Sequence, residues 1–299
     1  MKTFFAALTL VVCATAAHAA FPATEVFLPA VGRIEGSGAQ FYTTVWVTNP
    51  SSTASVDVQI QYLIAGQRNL NPATFTDSLA PRETKTYENF AESVFGIVNV
   101  LGAARLRASS EILVSARIYS KQNGDTDART YGGVFSAIPA RFAVGAGELA
   151  TLHGGRQNAD FRYNIFLVET TGNDASVTLT ARGSGGSSSQ LTLSLGAFEQ
   201  RIVPLGAIVS GDFSDGSIEA AVTGGNGRIV LAGSQITNGS SDSALFEMAF
   251  RSALLDAVAG PAGPQGPTGP QGPAGERGAR GPAGPAGATG ATGPAGVAG

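Results

Sequence analysis

Glycine stands at every third position from residue 260 to residue 299, without a single break in phase. The segment holds thirteen complete Gly-X-Y triplets followed by a final glycine. Where three polyproline II chains wind around one axis, only glycine fits at the crowded centre. The period therefore predicts a triple helix. The alternative is a structureless tail rich in glycine, proline and alanine, which would have no reason to keep its phase.

The residues on which this prediction depends are the triplet glycines, because a side chain at any of them would push the three chains apart. They are Gly260, Gly263, Gly266, Gly269, Gly272, Gly275, Gly278, Gly281, Gly284, Gly287, Gly290, Gly293, Gly296 and Gly299. Charged residues occur at Glu276, Arg277 and Arg280, where they could pair between chains. Exposed pairs of this kind contribute only about 0–1 kcal/mol each.

Proline fills the X position in eight of the thirteen triplets and never fills the Y position. Proline at X sets the polyproline II backbone before the chains meet. Animal collagens place proline at Y, where it is hydroxylated, whereas this chain has Ala, Gln, Thr or Arg there. The segment therefore resembles bacterial collagen-like proteins. The resemblance covers residues 260–299 and implies a homotrimer.

The N-terminus has the features of a secretory signal peptide. Lys2 supplies a positive charge, residues 4–17 form an apolar run, and an A-x-A cleavage pattern ends at Ala19. We therefore expect a secreted or cell-surface protein. The apolar run is too short to cross a bilayer, and no later stretch reaches twenty apolar residues, so the sequence predicts no membrane span.

Composition excludes several classes of protein. The single cysteine, Cys13, lies in the predicted signal peptide, so the exported chain has no disulfide framework. The net charge of −3 and the lack of a basic cluster argue against nucleic acid as a partner. Residues 20–255 are numerous enough for one large domain or two of ordinary size.

The part before the triplets is a diverged tandem repeat. Residues 41–63 and residues 161–182 share an aromatic-led segment, a polar turn, the triplet Ala-Ser-Val and a second alternating segment. Further blocks correspond in the same order along the chain: residues 27–33 with 149–156, 79–87 with 195–203, and 102–120 with 216–237. Their spacing gives repeats of about 115 residues, each the size of one domain.

Within each repeat, apolar residues recur with a period of two. Val56, Val58 and Ile60 alternate with polar residues, as do Val177 and Leu179 in the second repeat. This pattern is typical of strands with one face toward a core and one toward water. Turn residues separate the strands at short intervals, which favours β-sandwiches over βαβ units. Residues 91–98 are expected to form a single helical turn.

The sequence thus predicts an all-β protein with two tandem immunoglobulin-like β-sandwich domains followed by a collagen-like triple-helix segment. The predicted organisation has four parts: a signal peptide over residues 1–19, sandwich repeats over 20–141 and 142–255, and the collagen-like segment over 256–299. Because the chain ends on the glycine of an unfinished triplet, a longer reading frame stays an open alternative.

Residues that could carry chemistry are few. His153 is the only histidine after the signal peptide and is expected to be structural, because a lone histidine makes a poor metal site. Asp125 with Asp127, and Asp212 with Asp215, could bind calcium, but their spacing favours solvated turns. No nucleophile elbow, phosphate loop or dinucleotide motif is present in the sequence. We therefore predict no catalytic residue, no metal, no cofactor and no enzyme activity.

An aromatic cluster in the first repeat leaves two interpretations open. Phe41, Tyr42 and Trp46 would form a carbohydrate platform if they were exposed, whereas the alternation favours Trp46 as a core residue. Two functions follow. The first is a non-enzymatic structural protein of the cell surface or extracellular matrix, trimeric through its tail. The alternative is a trimeric adhesin that binds a glycan or an extracellular protein, which clustered exposed aromatic residues would favour.

Overall fold

The computed structural model describes residues 21–36, 39–122, 129–183 and 185–250, together with residues 280, 281, 283–285 and 287. Its contacts divide the chain into two units, Met1–Val258 and Ala259–Gly299. The described part of the first unit consists mainly of β-strands, which confirms the all-β prediction. The predicted signal peptide lies outside the described residues.

The first sequence repeat, here called repeat 1, contains eight strands and one short helix. The strands are β1 (Ala23–Gly36), β2 (Ala39–Thr48), β3 (Val56–Ile64), β4 (Ala73–Leu79), β5 (Thr84–Tyr87), β6 (Val100–Gln122), β7 (Tyr131–Ser136) and β8 (Ile138–Pro139). The helix α1 (Phe90–Phe95) ends at Gly96, whose φ of 68° allows the chain to turn away. The predicted helical turn is therefore confirmed.

Strand β6 organises repeat 1 because it passes from one layer of strands to the other. Its first half pairs with β3 and β1, and its second half pairs with β2 and β7. Strand β4 extends the first layer beside β3, and β5 extends the second beside β2. All of these pairings are antiparallel.

The second sequence repeat, repeat 2, contains nine strands in two sheets. They are β9 (Leu149–Gln157), β10 (Phe161–Glu169), β11 (Ala175–Arg182), β12 (Ser188–Leu195), β13 (Gln200–Pro204), β14 (Phe213–Gly225), β15 (Ile229–Thr237), β16 (Ser243–Glu247) and β17 (Ala249–Phe250). One sheet has the order β13-β10-β15-β16, and the other has the order β12-β11-β14-β9-β17.

Every strand of repeat 2 has a counterpart at the same sheet position in repeat 1. Strands β9 to β13 correspond to β1 to β5, and β16 and β17 correspond to β7 and β8. The long strand β6 corresponds to two strands, β14 and β15, which a short loop separates. The matched sequence blocks, residues 41–63 and 161–182, fall on counterpart strands.

The core of each repeat lies between its layers, an arrangement consistent with a β-sandwich. In β3, Val56, Val58 and Ile60 are buried while Asp57 is exposed, which confirms the predicted alternation. Buried Val45 and Val114 join the same cluster from the other layer. Tyr62 is also buried in this core, where its hydroxyl donates to the Val100 carbonyl at 2.7 Å. The phenol therefore keeps a hydrogen-bond partner inside an apolar core.

The two repeats pack directly against each other. One apolar cluster contains Phe27, Leu63 and Ala103 of repeat 1 together with the core of repeat 2. The predicted boundary at residues 141 and 142 lies within a 3₁₀ turn, Ala140–Phe142, just after β8. Because the apolar cluster runs across this boundary, both repeats belong to one compact unit.

Hydrogen bonds also connect the two repeats. The amide of Gly66 donates to the carbonyl of Gln200 at 2.8 Å, and the amide of Asn69 donates to the carbonyl of Ala197 at 3.0 Å. The Asn69 side chain, only 5% exposed, donates to the carbonyls of Phe198, Ile64 and Gln67 and accepts from the Ile64 amide. One buried amide thus ties a turn of repeat 1 to repeat 2.

The tail is described only at isolated positions. Gly281, Gly284 and Gly287 lie in it, and a Cβ at any of them would meet nothing within 4 Å in this single chain. The neighbouring Arg280, Ala283 and Pro285 are exposed. The remaining triplet glycines lie outside the described residues, so the triple helix stays a prediction.

Replacing Asn69 by alanine should lower the free energy of unfolding by about 2–3 kcal/mol, because it leaves buried backbone groups of both repeats unpaired. Urea denaturation followed by circular dichroism measures this loss. Asn173→Ala, in an exposed turn of repeat 2, is the matched control and should change stability by less than about 0.5 kcal/mol. Equal stability of Asn69→Ala and the parent protein would contradict the assigned role.

Candidate functional site

The outer face of repeat 1 carries a groove lined by aromatic and polar side chains. Tyr42, Thr44 and Trp46 alternate along β2 and share one face. Tyr119 and Arg117 of β6 pair with Tyr42 and Thr44 and present their side chains on the same face. The groove has a volume of about 590 Å³. Its lining, which defines the aromatic groove, is Tyr42, Thr44, Trp46, Thr86, Glu88, Asn89, Arg117, Tyr119, Lys121 and Thr130.

The position of Trp46 corrects the sequence interpretation that favoured a core residue. The core-facing positions of β2 are Val45 and Val47, both fully buried, so Trp46 between them lies on the opposite face. It is half-buried and lines the groove. The two valines pointed to this arrangement, because adjacent residues of a strand point to opposite faces.

The rings in the groove are held in place by one another and by cations. Tyr42 and Tyr119 stack with their centroids 5.6 Å apart and their planes 21° from parallel. The guanidinium of Arg117 lies 4.9 Å from the Tyr119 ring centroid and donates to the Thr130 hydroxyl at 2.8 Å. The guanidinium of Arg33 lies 5.8 Å from the Tyr42 centroid. The stacked pair therefore forms a fixed platform rather than two independent side chains.

A glycine allows the neighbouring strand to approach this platform closely. Gly132 of β7 pairs with Tyr119, and a Cβ at residue 132 would lie 2.1 Å from the Ile118 carbonyl oxygen and 2.6 Å from the Tyr119 Cα. Any side chain there would push β7 away from β6. The close approach keeps Thr130 and Arg117 in contact at the rim of the groove.

The groove combines flat apolar surfaces with many hydrogen-bonding groups. Ring faces of Tyr and Trp offer rigid contact area, while the hydroxyl, amide, carboxylate and cationic groups around them can donate or accept hydrogen bonds. Its volume falls within the range of small-ligand sites. A ligand with one apolar face and several hydroxyl groups would satisfy both features. Tyr42 and Trp46 were candidates from the sequence alone, whereas Arg117 and Tyr119 were not. The signal that could have found these two is their alternation with the core residues of β6.

Repeat 2 has an outer face equivalent to the one that carries the groove, but repeat 1 packs against it and covers it. The counterparts of Tyr42, Thr44, Trp46, Thr86, Arg117 and Tyr119 by strand pairing are Arg162, Asn164, Phe166, Ile202, Ser234 and Ile236. These six residues of repeat 2 line a cleft against repeat 1, here called the inter-repeat cleft. Phe41, predicted as part of the carbohydrate platform, lines this cleft and not the groove.

The other predicted residues do not assemble into a site. His153 is exposed on β9, where its carbonyl accepts a hydrogen bond from the Tyr163 hydroxyl at 3.0 Å. Asp215 pairs with Arg156 at 2.8 Å. Asp125 and Asp127 lie outside the described residues. Among the residues that the structure describes, no group of three or more His, Cys, Asp or Glu side chains could hold a metal ion.

A second groove, of about 710 Å³, lies on the outer face of the opposite layer of repeat 1. Two of the carboxylates in its lining already have partners within the protein. Glu25 pairs with Arg105 at 2.6 Å, and Asp77 accepts from Lys85 at 2.6 Å and from the Tyr87 hydroxyl at 2.8 Å. Because these carboxylates already have partners, this groove is less suited to a ligand than the aromatic groove.

The Asp77 pairs make a pH-dependent contribution to stability. Partial burial acts to raise the pKa of Asp77, but hydrogen bonds from Lys85, Tyr87 and the Ser78 amide, with the Lys85 charge, hold it below its ordinary value. Such a group stabilises the fold above the ordinary Asp pKa of about 3.9, and this contribution is lost as the pH falls through the lower folded value.

Asp77→Asn should therefore destabilise the protein by about 1–2 kcal/mol near neutral pH, and the difference from the parent protein should shrink below about pH 4. Urea titrations at several pH values measure it. Lys85→Met removes the same pair from the other side and should show the same trend. A difference that is constant with pH would contradict this assignment.

Comparison of the sequence with protein-family models finds no match, and comparison with curated proteins also finds none. In the described part of the chain, no helix is both long enough and apolar enough to cross a membrane. The collagen-like resemblance of residues 260–299 therefore stays a prediction from their Gly-X-Y period. The aromatic groove is the feature of the described residues that best fits a ligand.

Proposed function

We propose that this chain is an exported, non-enzymatic adhesin that binds glycans in the aromatic groove of repeat 1. In this proposal the two repeats are tandem immunoglobulin-like sandwiches, and the collagen-like tail joins three copies at a cell surface or in an extracellular matrix. The observation that carries it is the platform of Tyr42 and Tyr119 beside half-buried Trp46. A cluster of partly exposed aromatic rings at the surface is the feature that favours a binding protein over a spacer.

A glycan fits this groove better than other ligands because the groove places apolar aromatic ring faces beside groups that donate and accept hydrogen bonds. Sugar rings present apolar C–H faces that pack on aromatic rings, and their hydroxyls both donate and accept hydrogen bonds. Thr44, Thr86 and Glu88 offer oxygen atoms, while Arg117 and Lys121 offer N–H donors. A concave groove of this size suits a short saccharide, whereas protein partners more often meet broad, flat surfaces.

The tail would turn a weak site into a strong one. Three grooves on one trimer bind a repeated glycan with an effective concentration set by the geometry of the trimer, so avidity exceeds the affinity of one groove. The Gly-X-Y period supports this assembly. A purely structural role is the second candidate, and that period favours it equally. Glycan binding decides between the two.

A glycan array with the full chain, followed by calorimetry on the best ligand, tests the proposal. Trp46→Ala and Tyr119→Ala should each weaken binding about tenfold or more, because each removes a ring that the ligand would cover. Phe21→Ala removes an exposed aromatic residue that lies outside the groove and should leave the affinity unchanged. Circular dichroism of each variant checks folding.

The absence of glycan binding by the folded parent protein would overturn the adhesin proposal and return the structural candidate. Binding that survives both groove substitutions would place the site elsewhere. Binding of an extracellular protein, but of no glycan, would replace the ligand class while keeping the groove.

The trimer is tested separately. Gly278, near the middle of the triplets, would face the three-chain axis, so Gly278→Val should dissociate the trimer while the repeats stay folded. Ala279→Val, at the neighbouring X position, is the matched control and should keep the trimer. Light scattering at low temperature and high concentration gives the mass. A monomeric parent protein under those conditions would end this part of the proposal.

A further inference from the structure

Strand β12 forms a free edge of its sheet. The order β12-β11-β14-β9-β17 places it at one end, and in the described part of the chain no strand pairs with its outer side. Its eight residues, Ser188–Leu195, pair with β11 in one unbroken register. The strand therefore presents an uninterrupted row of backbone N–H and C=O groups to solvent.

The sequence of β12 lacks the features that usually protect such an edge. Proteins guard a long edge strand with charged residues, proline or a bulge, because an open edge pairs readily with other chains. The sequence SSQLTLSL contains no charged residue and no proline, and its register with β11 has no bulge. The counterpart edge strand of repeat 1, β4, follows Pro72 and carries Asp77. The edge of β12 is therefore the better suited of the two to pairing.

The side chains of β12 divide into an apolar face and a polar face. Leu191 and Leu193 pack against the core of repeat 2 but are only partly buried, because no strand lies beyond them. Gln190, Thr192 and Ser194 are exposed on the other face. A strand with the same alternation, added outside β12, would cover both leucines and would place polar groups beside polar groups.

The hairpin that joins β11 to β12 determines which backbone groups point outward. The Gly183 amide donates to the Ser187 carbonyl at 3.0 Å across this hairpin. In an antiparallel ladder, bonded pairs alternate with unbonded pairs, so Leu191 and Leu193 bond to β11. The N–H and C=O groups of the even-numbered residues, with Thr192 at their centre, consequently point away from the sheet.

We propose that β12 is an interaction surface for β12 of a second copy of this chain, paired antiparallel about a two-fold axis at Thr192. In this register Thr192 faces the same residue of the other copy. Leu191 faces Leu193, and Gln190 faces Ser194. The outward-pointing groups then form about six backbone hydrogen bonds between the copies. No like charges meet, because the strand carries no charge.

A second copy fits this edge because the strand is self-complementary. Pairing about Thr192 sets all four leucines against leucine, whereas pairing about Leu191 would set each Leu193 against Ser189. An unrelated peptide would need the same alternation by coincidence.

The pairing would act between trimers. One strand pair covers far less than the roughly 1,600 Å² of a typical stable interface, so a single pairing is weak. In the trimer of the proposed function, three such edges act together and link trimers into a network by avidity. The network rests on that proposed trimer, but the pairing itself does not. It also lies on repeat 2, apart from the aromatic groove of repeat 1.

Disulfide trapping in the full chain tests the pairing. The single cysteine, Cys13, is replaced by alanine in every variant. Thr192→Cys should form a disulfide-linked dimer under mild oxidation, because bonded antiparallel partners have Cα atoms about 5.5 Å apart, a distance that a disulfide spans. Ser194→Cys, also exposed on the same face, is the matched control. Its two copies would lie roughly 14 Å apart and should remain unlinked.

Sedimentation of the full chain measures the pairing without a crosslink. All samples carry Gly278→Val, so that the tail does not add to the mass. This protein should shift from monomer to dimer as its concentration rises. Adding Thr192→Lys should keep it monomeric, because two lysines would meet at the two-fold axis. Thr223→Lys, exposed on the same sheet face but in the central strand β14, is the control and should leave the dimer unchanged.

Circular dichroism identifies the variants that keep the fold, and only these are compared. A folded Thr192→Cys protein that stays monomeric under oxidation would overturn the proposal. So would equally fast crosslinking of Ser194→Cys, which would show random collision. If Thr192→Cys does not fold, the sedimentation comparison decides, and a monomer at every concentration or a dimer that survives Thr192→Lys would overturn the pairing. None of these results affects glycan binding by the aromatic groove, so the two proposals fail independently.

Discussion

The packing of repeat 1 against the outer face of β10 and β15 is the contact on which the rest of the described structure depends. An antiparallel sheet tolerates water on one face when that face is polar. The outer face of repeat 2 instead carries Phe166, Ile202 and Ile236, which would form an exposed apolar patch in isolation. Repeat 1 covers them, and the hydrogen bonds of Asn69 satisfy backbone groups at the edge of this contact. The burial of this outer face of repeat 2 therefore holds the two repeats together as one unit. The equivalent face of repeat 1 is the one that carries the aromatic groove.

The equivalent outer faces of the two repeats carry different side chains, because the face of repeat 1 is open to solvent and the face of repeat 2 is covered. At the position where repeat 2 has covered Phe166, repeat 1 has Trp46, and where repeat 2 has Ile236, repeat 1 has Tyr119. Tyrosine and tryptophan combine a large apolar ring with a polar group, so they can remain at a surface where phenylalanine and isoleucine would be unfavourable. Threonine at residue 86 in place of isoleucine follows the same rule. The aromatic groove of repeat 1 is thus the solvent-exposed equivalent of the surface that repeat 2 uses for packing.

Much of this fold could be predicted from the sequence, because period-two alternation is a local property of each strand. The burial of Val56, Val58 and Ile60 follows from it directly. The face of Trp46 was assigned wrongly because sandwich tryptophans often lie in the core, although Val45 and Val47 on either side of it indicated the opposite face. The contact of Asn69 with Phe198 joins residues 129 positions apart and has no local signal. For the same reason, neither the inter-repeat cleft nor the pairing of Tyr42 with Tyr119 could be found before the strands were placed in register.

In the proposed assembly, binding and trimer formation must support each other. A triple helix gains about 0.5–1.5 kcal/mol per interchain hydrogen bond, roughly one for each triplet of each chain, while ordering a residue costs on the order of 1–2 kcal/mol. Proline at X reduces that cost in eight of the thirteen triplets, but the hydrogen bonds alone do not cover the remainder, so packing between the three chains must supply the difference. A glycan surface that engages three grooves binds the trimer more tightly than the monomer, and by linkage it stabilises the trimer by the same free energy. The triple helix of the proposed assembly would therefore form most completely where repeated ligand is present, so the strength of adhesion would increase with the density of ligand on the surface.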